Sequence, residues 1–344
     1  MSDDVKTCII GHTGRITLTR PKALNALSYP MCLEIEAALD AWRDDDAVKM
    51  VVIDAEGERA FCAGGDIASI YHDGIKGIYD HAQKFWRDEY RMNAKLFEFP
   101  KPVAAFMHGF VMGGGVGVGC HGSHRIVGDT TQMSMPECGI GLIPDVGGTL
   151  LLAQAPGRLG EFLGLTGERM GAADAIYAGF ADYYIPEADW PAVIAELENT
   201  GDWEAIDRAA KPVGEARLKG WQADIDSVFG GERIGDVFRA ISADPPEAIA
   251  HAQKALSRNS PLSMACTLEL IHRVRMRPTI HNALEQEYRF TSRAAEFGDF
   301  VEGVRAAIID KDRNPTWKHA SWEQLPSGEV TQMLLPVTGE NVQF

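Results

Sequence analysis

The apolar positions of this chain keep two rhythms, and one gives way to the other past the midpoint. Near the start, short β-rich runs at Thr7–Ile10 and Arg15–Thr19 flank Gly11-His-Thr-Gly14, which predicts a hairpin. From Pro30, residues Met31, Leu33, Ile35, Ala38, Leu39 and Trp42 recur at helical spacing and predict one apolar helix face. Val48-Lys-Met-Val-Val-Ile-Asp54 and Pro102-Val-Ala-Ala-Phe-Met-His108 are nearly unbroken apolar runs. Strands buried on both faces need that pattern. Helical patterns follow each run, so the chain reads as βαβ alternation and an α/β fold. After about Tyr184 the strand signals stop. Pro245-Pro246, Ser260-Pro261 and Pro278 then punctuate helices such as Pro261–Arg275 and Thr279–Glu296. The expected organisation is an α/β core over 1–190, a helical region over 191–322, and a loosely packed tail over 323–344.

The balance of residues is that of a globular protein, with 45% hydrophobic and 24% charged among 344 residues. The formal charge of −16 repels phosphate backbones, which argues against nucleic acid as a partner. The six cysteines (Cys8, Cys32, Cys62, Cys120, Cys138, Cys266) are scattered with no CxxC pair, so neither a disulfide framework nor a zinc site is expected. A reducing compartment fits that usage. The acidic opening MSDDVKTCII lacks the basic flank and apolar run of a signal peptide, and no segment has the length of a membrane span. The expectation is a soluble cytoplasmic protein without a membrane partner.

Candidate chemistry centres on Met135-Pro-Glu-Cys-Gly-Ile-Gly-Leu-Ile-Pro-Asp-Val-Gly-Gly148. It sets Glu137 and Asp145 eight residues apart in an otherwise apolar, Gly- and Pro-rich stretch. Carboxylates are costly to bury unless paired, hydrogen-bonded or used. Phe61-Cys-Ala-Gly-Gly-Asp-Ile67 and His108-Gly-Phe-Val-Met-Gly-Gly-Gly-Val-Gly117 each follow a predicted strand. Glycines there let main-chain N–H groups come close to a ligand. A helix starting near Met112 would aim free N–H groups and its positive end beyond the strand. Two such donors converging make an oxyanion hole. Each run alone is equally a plain strand–helix turn. Neither is a nucleotide loop, because GxGxxG and a Walker lysine are absent.

These segments together resemble the crotonase (enoyl-CoA hydratase/isomerase) superfamily. The likeness rests on Arg20-Pro-Lys-Ala-Leu-Asn-Ala-Leu27, FCAGGDI, HGFVMGGGVG, PE…IGLIPDVGG and Asp299-Phe-Val-Glu-Gly-Val-Arg-Ala306, in that order along almost the whole chain. Within the superfamily the sequence is most similar to the 3-hydroxyisobutyryl-CoA hydrolase group. Glu137 with Asp145, Phe85-Trp-Arg-Asp-Glu-Tyr90, Glu287-Tyr-Arg289 and Ile309-Asp-Lys-Asp-Arg-Asn-Pro-Thr-Trp317 carry that likeness. The resemblance implies a spiral of ββα units with a helical C-terminal region, and an acyl-CoA thioester as substrate. It implies that the thioester oxygen sits between the N–H groups of Gly65 and Gly114. It places Ala23, Leu24, Ala63 and Asp66 along the CoA path, with Asp66 organising its loop rather than touching substrate. It puts Glu89 at the acyl end of the pocket, against the plain alternative of an exposed helical carboxylate.

One departure bears on the reaction. Hydratases of the superfamily use a glutamate on the GGG helix and another in the PE segment. The first of these positions is Gly117 here and the second is Glu137, while Asp145 stands where a small residue is usual. Hydration needs an acid and a base around the α and β carbons. Thioester hydrolysis needs an activated nucleophile and charge stabilisation at the carbonyl oxygen. The resemblance therefore implies hydrolysis of a short β-hydroxyacyl-CoA, with hydration or isomerisation of an enoyl-CoA as the alternative. A CoA-binding protein without turnover is a third class, and it would lack a catalytic carboxylate.

Other residues read more plainly. His108 and His121 are expected to be packed or surface histidines. Cys62 and Cys138 lack a His partner by spacing and read as small buried side chains. Asp44-Asp-Asp46 reads as a solvated loop. Lys311 and Arg313 read as partners of Asp310 or Asp312 at the surface. No metal or redox cofactor is implied, and CoA enters as part of the substrate. Superfamily members often trimerise, so a homo-oligomer is an open expectation.

Overall fold

The computed structural model describes residues 3–344. Strands β1 (Val5–Ile10) and β2 (Thr13–Leu18) form the expected antiparallel hairpin, with Ile10 opposite Thr13. From there every pairing between strands is parallel. A six-stranded sheet runs β1-β2-β3-β5-β7-β9, with β3 at Met50–Ala55, β5 at Val103–Met107, β7 at His124–Val127 and β9 at Tyr183–Tyr184. A second sheet runs β4-β6-β8, with β4 at Ala60–Cys62, β6 at Phe110–Met112 and β8 at Gln132–Ser134. The chain thus gives one strand to each sheet before it turns into a helix or loop, the spiral of ββα units the sequence implies.

The unbroken apolar runs are explained by what covers the large sheet. Val51, Ile53, Ala105, Met107 and Val127 face the main core. Met50, Val52, Ala104, Phe106 and Ile126 point the other way, against Trp190, Val193, Ile194 and Leu197. Side chains alternate along a strand, so both faces need apolar residues when both are covered.

Helix α1 (Tyr29–Trp42) starts with Pro30 in its first turn and buries Met31, Cys32, Ile35, Ala38, Leu39 and Trp42. Leu33 departs from the expected stripe and is exposed. Two residues from Met31 is about 200° around the helix, so Leu33 falls on the outer face. Helix α2 (Asp80–Phe97) buries Phe85, Trp86, Glu89, Tyr90, Met92, Asn93 and Leu96. Helix α3 is the short Gly114–Gly119 element. In the C-terminal part, α4 (Pro261–Met276) and α5 (Ile280–Phe297) begin with side-chain caps, Ser260 accepting from the Ser263 N–H and Thr279 from the Asn282 N–H.

Strands end at Tyr184 and helices take over from Trp190, as the sequence indicates. The change is one of secondary structure only. One apolar core runs across it, from Val5 to Val342. The 323–344 stretch is not the loose tail expected. It forms helix α6 (Ser327–Met333) and buries Met333, Leu334 and Val342. Arg289 and Arg293 of α5 donate to the carbonyls of Leu334, Leu335 and Pro336. Main-chain carbonyls hold this segment, so no apolar period announces it. No helix of the described residues is long and apolar enough to cross a membrane.

Candidate active site

The two glycine runs meet because their strands do. β4 pairs with β6, so the turn after Cys62 and the turn after Met112 lie side by side. Gly113 has φ 48° and ψ −116°, a conformation side chains disfavour. A Cβ on Gly115 would stand 2.1 Å from the Cys62 carbonyl oxygen, so only glycine allows this approach. A Cβ on Gly114 would lie 3.4 Å from both the Gly64 carbonyl carbon and the Gly65 nitrogen. The Gly65 and Gly114 main chains are therefore neighbours. Around them, Leu27 donates to the Gly64 carbonyl, Asp66 to Leu27, and Ile67 to Gly65. The N–H of Gly65 has no acceptor in that pattern, and Gly114 opens α3, where helical N–H groups lack partners.

Two carboxylates flank this pair. Glu137 opens a 3₁₀ turn, Glu137–Ile140, after β8. Its Oε1 lies 2.7 Å from where a Gly113 Cβ would be, and its Oε2 is buried without a partner among the described residues. Glu89 reaches from α2, with Oε1 3.3 Å from where a Gly114 Cβ would be. At 3% exposure it is not the solvated helical carboxylate of the plain reading. Asp145 is also buried and accepts a 2.8 Å hydrogen bond from the Tyr90 hydroxyl. A fourth carboxylate, Glu287 of α5, is fully buried behind it.

Burial sets the electrostatics. Removing several like charges from water costs several kcal/mol each, so carboxyls in such a cluster hold their protons. Burial first, and then Asp145, pushes Glu89 and Glu137 well above the usual carboxylate range. Burial raises Asp145 less, to about 7, because the Tyr90 hydroxyl and its own N–H favour the anion. Burial raises Glu287 to about 8 against hydrogen bonds from Thr149 and Gly147. Asp145 is thus more acidic than its two neighbours at the glycine pair.

The Gly117 position is occupied by other groups. A Cβ there would lie 2.8 Å from Val146 Cβ and 2.9 Å from Asn93 Nδ2. Asn93 donates to the Gly117 carbonyl at 3.1 Å, and its own Oδ1 is buried without a partner among the described residues. The site thus has neither a carboxylate at this place nor room for one.

The remaining expected positions divide. Ala63 donates to the Leu24 carbonyl at 3.0 Å, which joins the 20–27 and 63–67 segments, and Ala23 is exposed beside them. Asp66 is ion-paired with Arg20 at 3.0 Å. His108 packs against Trp190. His121 meets the Val146 carbonyl through Nε2 at 2.7 Å, and burial lowers it to about 4. Cys62 is buried, which raises its thiol to about 12. The expected pairing of Lys311 and Arg313 fails. Arg305 takes both Asp310 and Asp312. No metal-holding group of three or more His, Cys, Asp or Glu occurs among the described residues.

Sequence reasoning missed Tyr90, Asn93 and Val146 as site neighbours, and it noted Glu287 only as part of a motif. For Asn93 alone there is a local signal, its place four residues after Glu89 on one helix face.

The family model described as Enoyl-CoA hydratase/isomerase matches residues 13–334. The mitochondrial 3-hydroxyisobutyryl-CoA hydrolase of Gallus gallus is 32% identical, over 97% of this chain and 89% of that protein. An enoyl-CoA hydratase from Rhodobacter sphaeroides 2.4.1 superposes with a TM-score of 0.95 and 52% identity, over 99% of this chain and 100% of that one. A carnitinyl-CoA dehydratase from Mycobacterium thermoresistibile gives a TM-score of 0.93 and 40% identity, over 98% of each chain.

Proposed function

The chain belongs to the enoyl-CoA hydratase/isomerase family, and we propose that within it this protein hydrolyses 3-hydroxyisobutyryl-CoA to 3-hydroxyisobutyrate and CoA. The 3-hydroxyisobutyryl-CoA hydrolase of Gallus gallus, similar over nearly the whole chain, supports that substrate. The observation that carries the reading is the filled Gly117 position, beside a glycine pair flanked by Glu137 and Glu89.

In this reading the thioester oxygen lies between the Gly65 and Gly114 N–H groups, which stabilise charge as it develops there. One such donor is worth about 3 kcal/mol in other enzymes. Glu137 works at the carbonyl carbon, either attacking it to give a mixed anhydride or deprotonating the attacking water. Both routes require Glu137 to lose its proton. Asp145, which ionises before Glu137, stands beside it to accept that proton. The C–S bond then breaks and CoA leaves as the thiol with the proton that Asp145 took up; on the anhydride route water then cleaves the anhydride, freeing the acid and restoring Glu137. Glu89 meets the acyl end, while Ala23, Leu24, Ala63 and the loop held by Asp66 line the CoA path. Carboxylates and amides supply this chemistry, so the proposal includes no metal or redox cofactor. Valine breakdown, a cytoplasmic location and a homo-oligomer belong to the same proposal.

The second reading is hydration or isomerisation of an enoyl-CoA. The two structural neighbours favour it, being a hydratase and a dehydratase. The filled Gly117 position weighs against hydration, whereas isomerisation can run with one carboxylate. Free-thiol release from 3-hydroxyisobutyryl-CoA, measured beside hydration of crotonyl-CoA, separates the readings. CoA release without hydration is expected. Fast hydration with no free CoA reverses the order.

A further inference from the structure

Asp145 sits in a turn that would not hold its shape unaided. The next residue, Val146, is β-branched and has φ 53°, in the left-handed region such side chains avoid. Gly147 follows at φ 80°. Glu287 spans this turn from α5. One carboxylate oxygen accepts from the Gly147 N–H at 2.8 Å. The other accepts from the Thr149 N–H at 3.0 Å and from the Thr149 hydroxyl at 2.5 Å. One turn further along α5, Thr291 stands 3.2 Å from the Tyr90 hydroxyl that donates to Asp145. Helix α5 therefore meets the Asp145 region twice, once at its backbone and once at the partner of its side chain.

We infer that Glu287 and Tyr90 are positioning residues for Asp145, Glu287 holding the strained 145–149 turn and Tyr90 aiming the carboxylate through its 2.8 Å hydrogen bond. The inference rests on the proposed chemistry for Asp145 and adds the C-terminal helix to the working site. Strain of this kind persists where surrounding groups over-determine the backbone, and the three donors gathered by Glu287 do that here. His121 secures the same turn through the Val146 carbonyl. Val146, so held, fills the space beside Gly117. The clamp that aims Asp145 thus also closes the place where a second glutamate would stand.

The titratable groups around Asp145 are few. Glu89 and Tyr90 face it from α2, Glu137 from the 3₁₀ turn, and Glu287 from α5. His121 lies behind Val146, and α3 offers only glycines and valines. Tyr90 is the one that favours the Asp145 anion through a hydrogen bond, while burial disfavours it.

Tyr90→Phe and Glu287→Gln test this in the full-length protein, with melting and circular dichroism run alongside. The pH profile is read on whichever turnover the wild type supports. Absence of CoA release in the wild type would overturn the proposed function and leave the positioning claim to be read on hydration. Tyr90→Phe is expected to move the acidic limb of kcat/KM up by about one pH unit, because a hydrogen bond to a charged group has been lost. Glu287→Gln is expected to lower kcat roughly 100-fold with KM little changed, the size of effect a small misplacement of a reacting group causes. A merely structural role would lower the folded fraction and leave the limb and kcat per folded molecule in place. An unmoved limb in Tyr90→Phe, or an unchanged kcat in folded Glu287→Gln, overturns the inference. If Glu287→Gln does not fold, Thr291→Val, which loosens Tyr90 alone, must still raise the limb for the inference to stand.

Discussion

Gly117→Ala is a small change with a large consequence expected. The added Cβ would stand 2.8 Å from Val146 Cβ, 2.9 Å from Asn93 Nδ2 and 3.1 Å from Val146 Cγ2. Two of these contacts are below the distance at which real Cβ atoms are found; one is to a branch-point carbon, and the other is to a side-chain end that a hydrogen bond pins in place. Val146 is held by the strained turn, and Asn93 is fixed to the Gly117 carbonyl. Overpacking of this kind costs about 1–3 kcal/mol. The gain from alanine over glycine in a helix is about 1 kcal/mol, and less in an element this short. The net expectation is a loss of about 1–2 kcal/mol in urea unfolding. Turnover falls with it, because Val146 cannot move without Asp145. Val146→Gly removes both the contact and the left-handed strain. Added to Gly117→Ala, it should return part of the loss, with a coupling of about 1 kcal/mol across the double-mutant cycle. Gly117→Ala at wild-type stability and rate, or strictly additive effects in the cycle, would refute the claim that this position is filled.

Three further outcomes follow. Activity should rise with pH through about 7, because Asp145 must be ionised to accept a proton and burial has raised it to that value; a kcat/KM profile flat from pH 5 to 8 contradicts this. Glu137→Gln should abolish CoA release while the variant still binds substrate; label in the Glu137 carboxylate after wild-type turnovers in ¹⁸O-water establishes the anhydride route with opening at the Glu137 carbon, and hydroxylamine trapping of the acyl-enzyme separates opening at the acyl carbon from the direct water route. Glu161 is held at about 2 because hydrogen bonds from His272, Arg275 and Arg158 outweigh its burial. Its stabilisation is therefore present above about pH 4.5 and is lost as pH falls toward 2. Glu161→Gln should cost about 2–3 kcal/mol at neutral pH and much less near pH 3, as read by urea unfolding at both values.

What the sequence reveals here depends on how local the cause is. The hairpin, α1 and the buried strands are written in periods a few residues long. The two glycine turns and the Glu137–Asp145 segment are legible because unusual residues crowd into short windows. Tyr90 gives no such sign. Its partners Asp145 and Thr291 lie 55 and 201 residues away along the chain. Glu287 reaches Gly147 across 140 residues, so its purpose is visible only in three dimensions. Glu89 could be read either way because charged Arg87, Asp88 and Arg91 surround it in sequence, while the helix turns Glu89 alone of these four inward. The 323–344 segment misled for the opposite reason. Arginine donors grip its carbonyls, and carbonyls carry no sequence signature.

In the proposed mechanism one thioester oxygen shares the main-chain N–H groups of residues 65 and 114 while Glu137 and Asp145 face the carbon. A crystal structure with a ketone analogue of the acyl-CoA, its sulfur replaced by a methylene group, tests that most directly. The expected result is a carbonyl oxygen about 2.7–3.1 Å from both nitrogens, with the two carboxylates on one side of the carbonyl carbon. An analogue seated elsewhere, such as the surface groove lined by Lys84, Arg87 and Arg293, or a carbonyl touching neither amide, would contradict it.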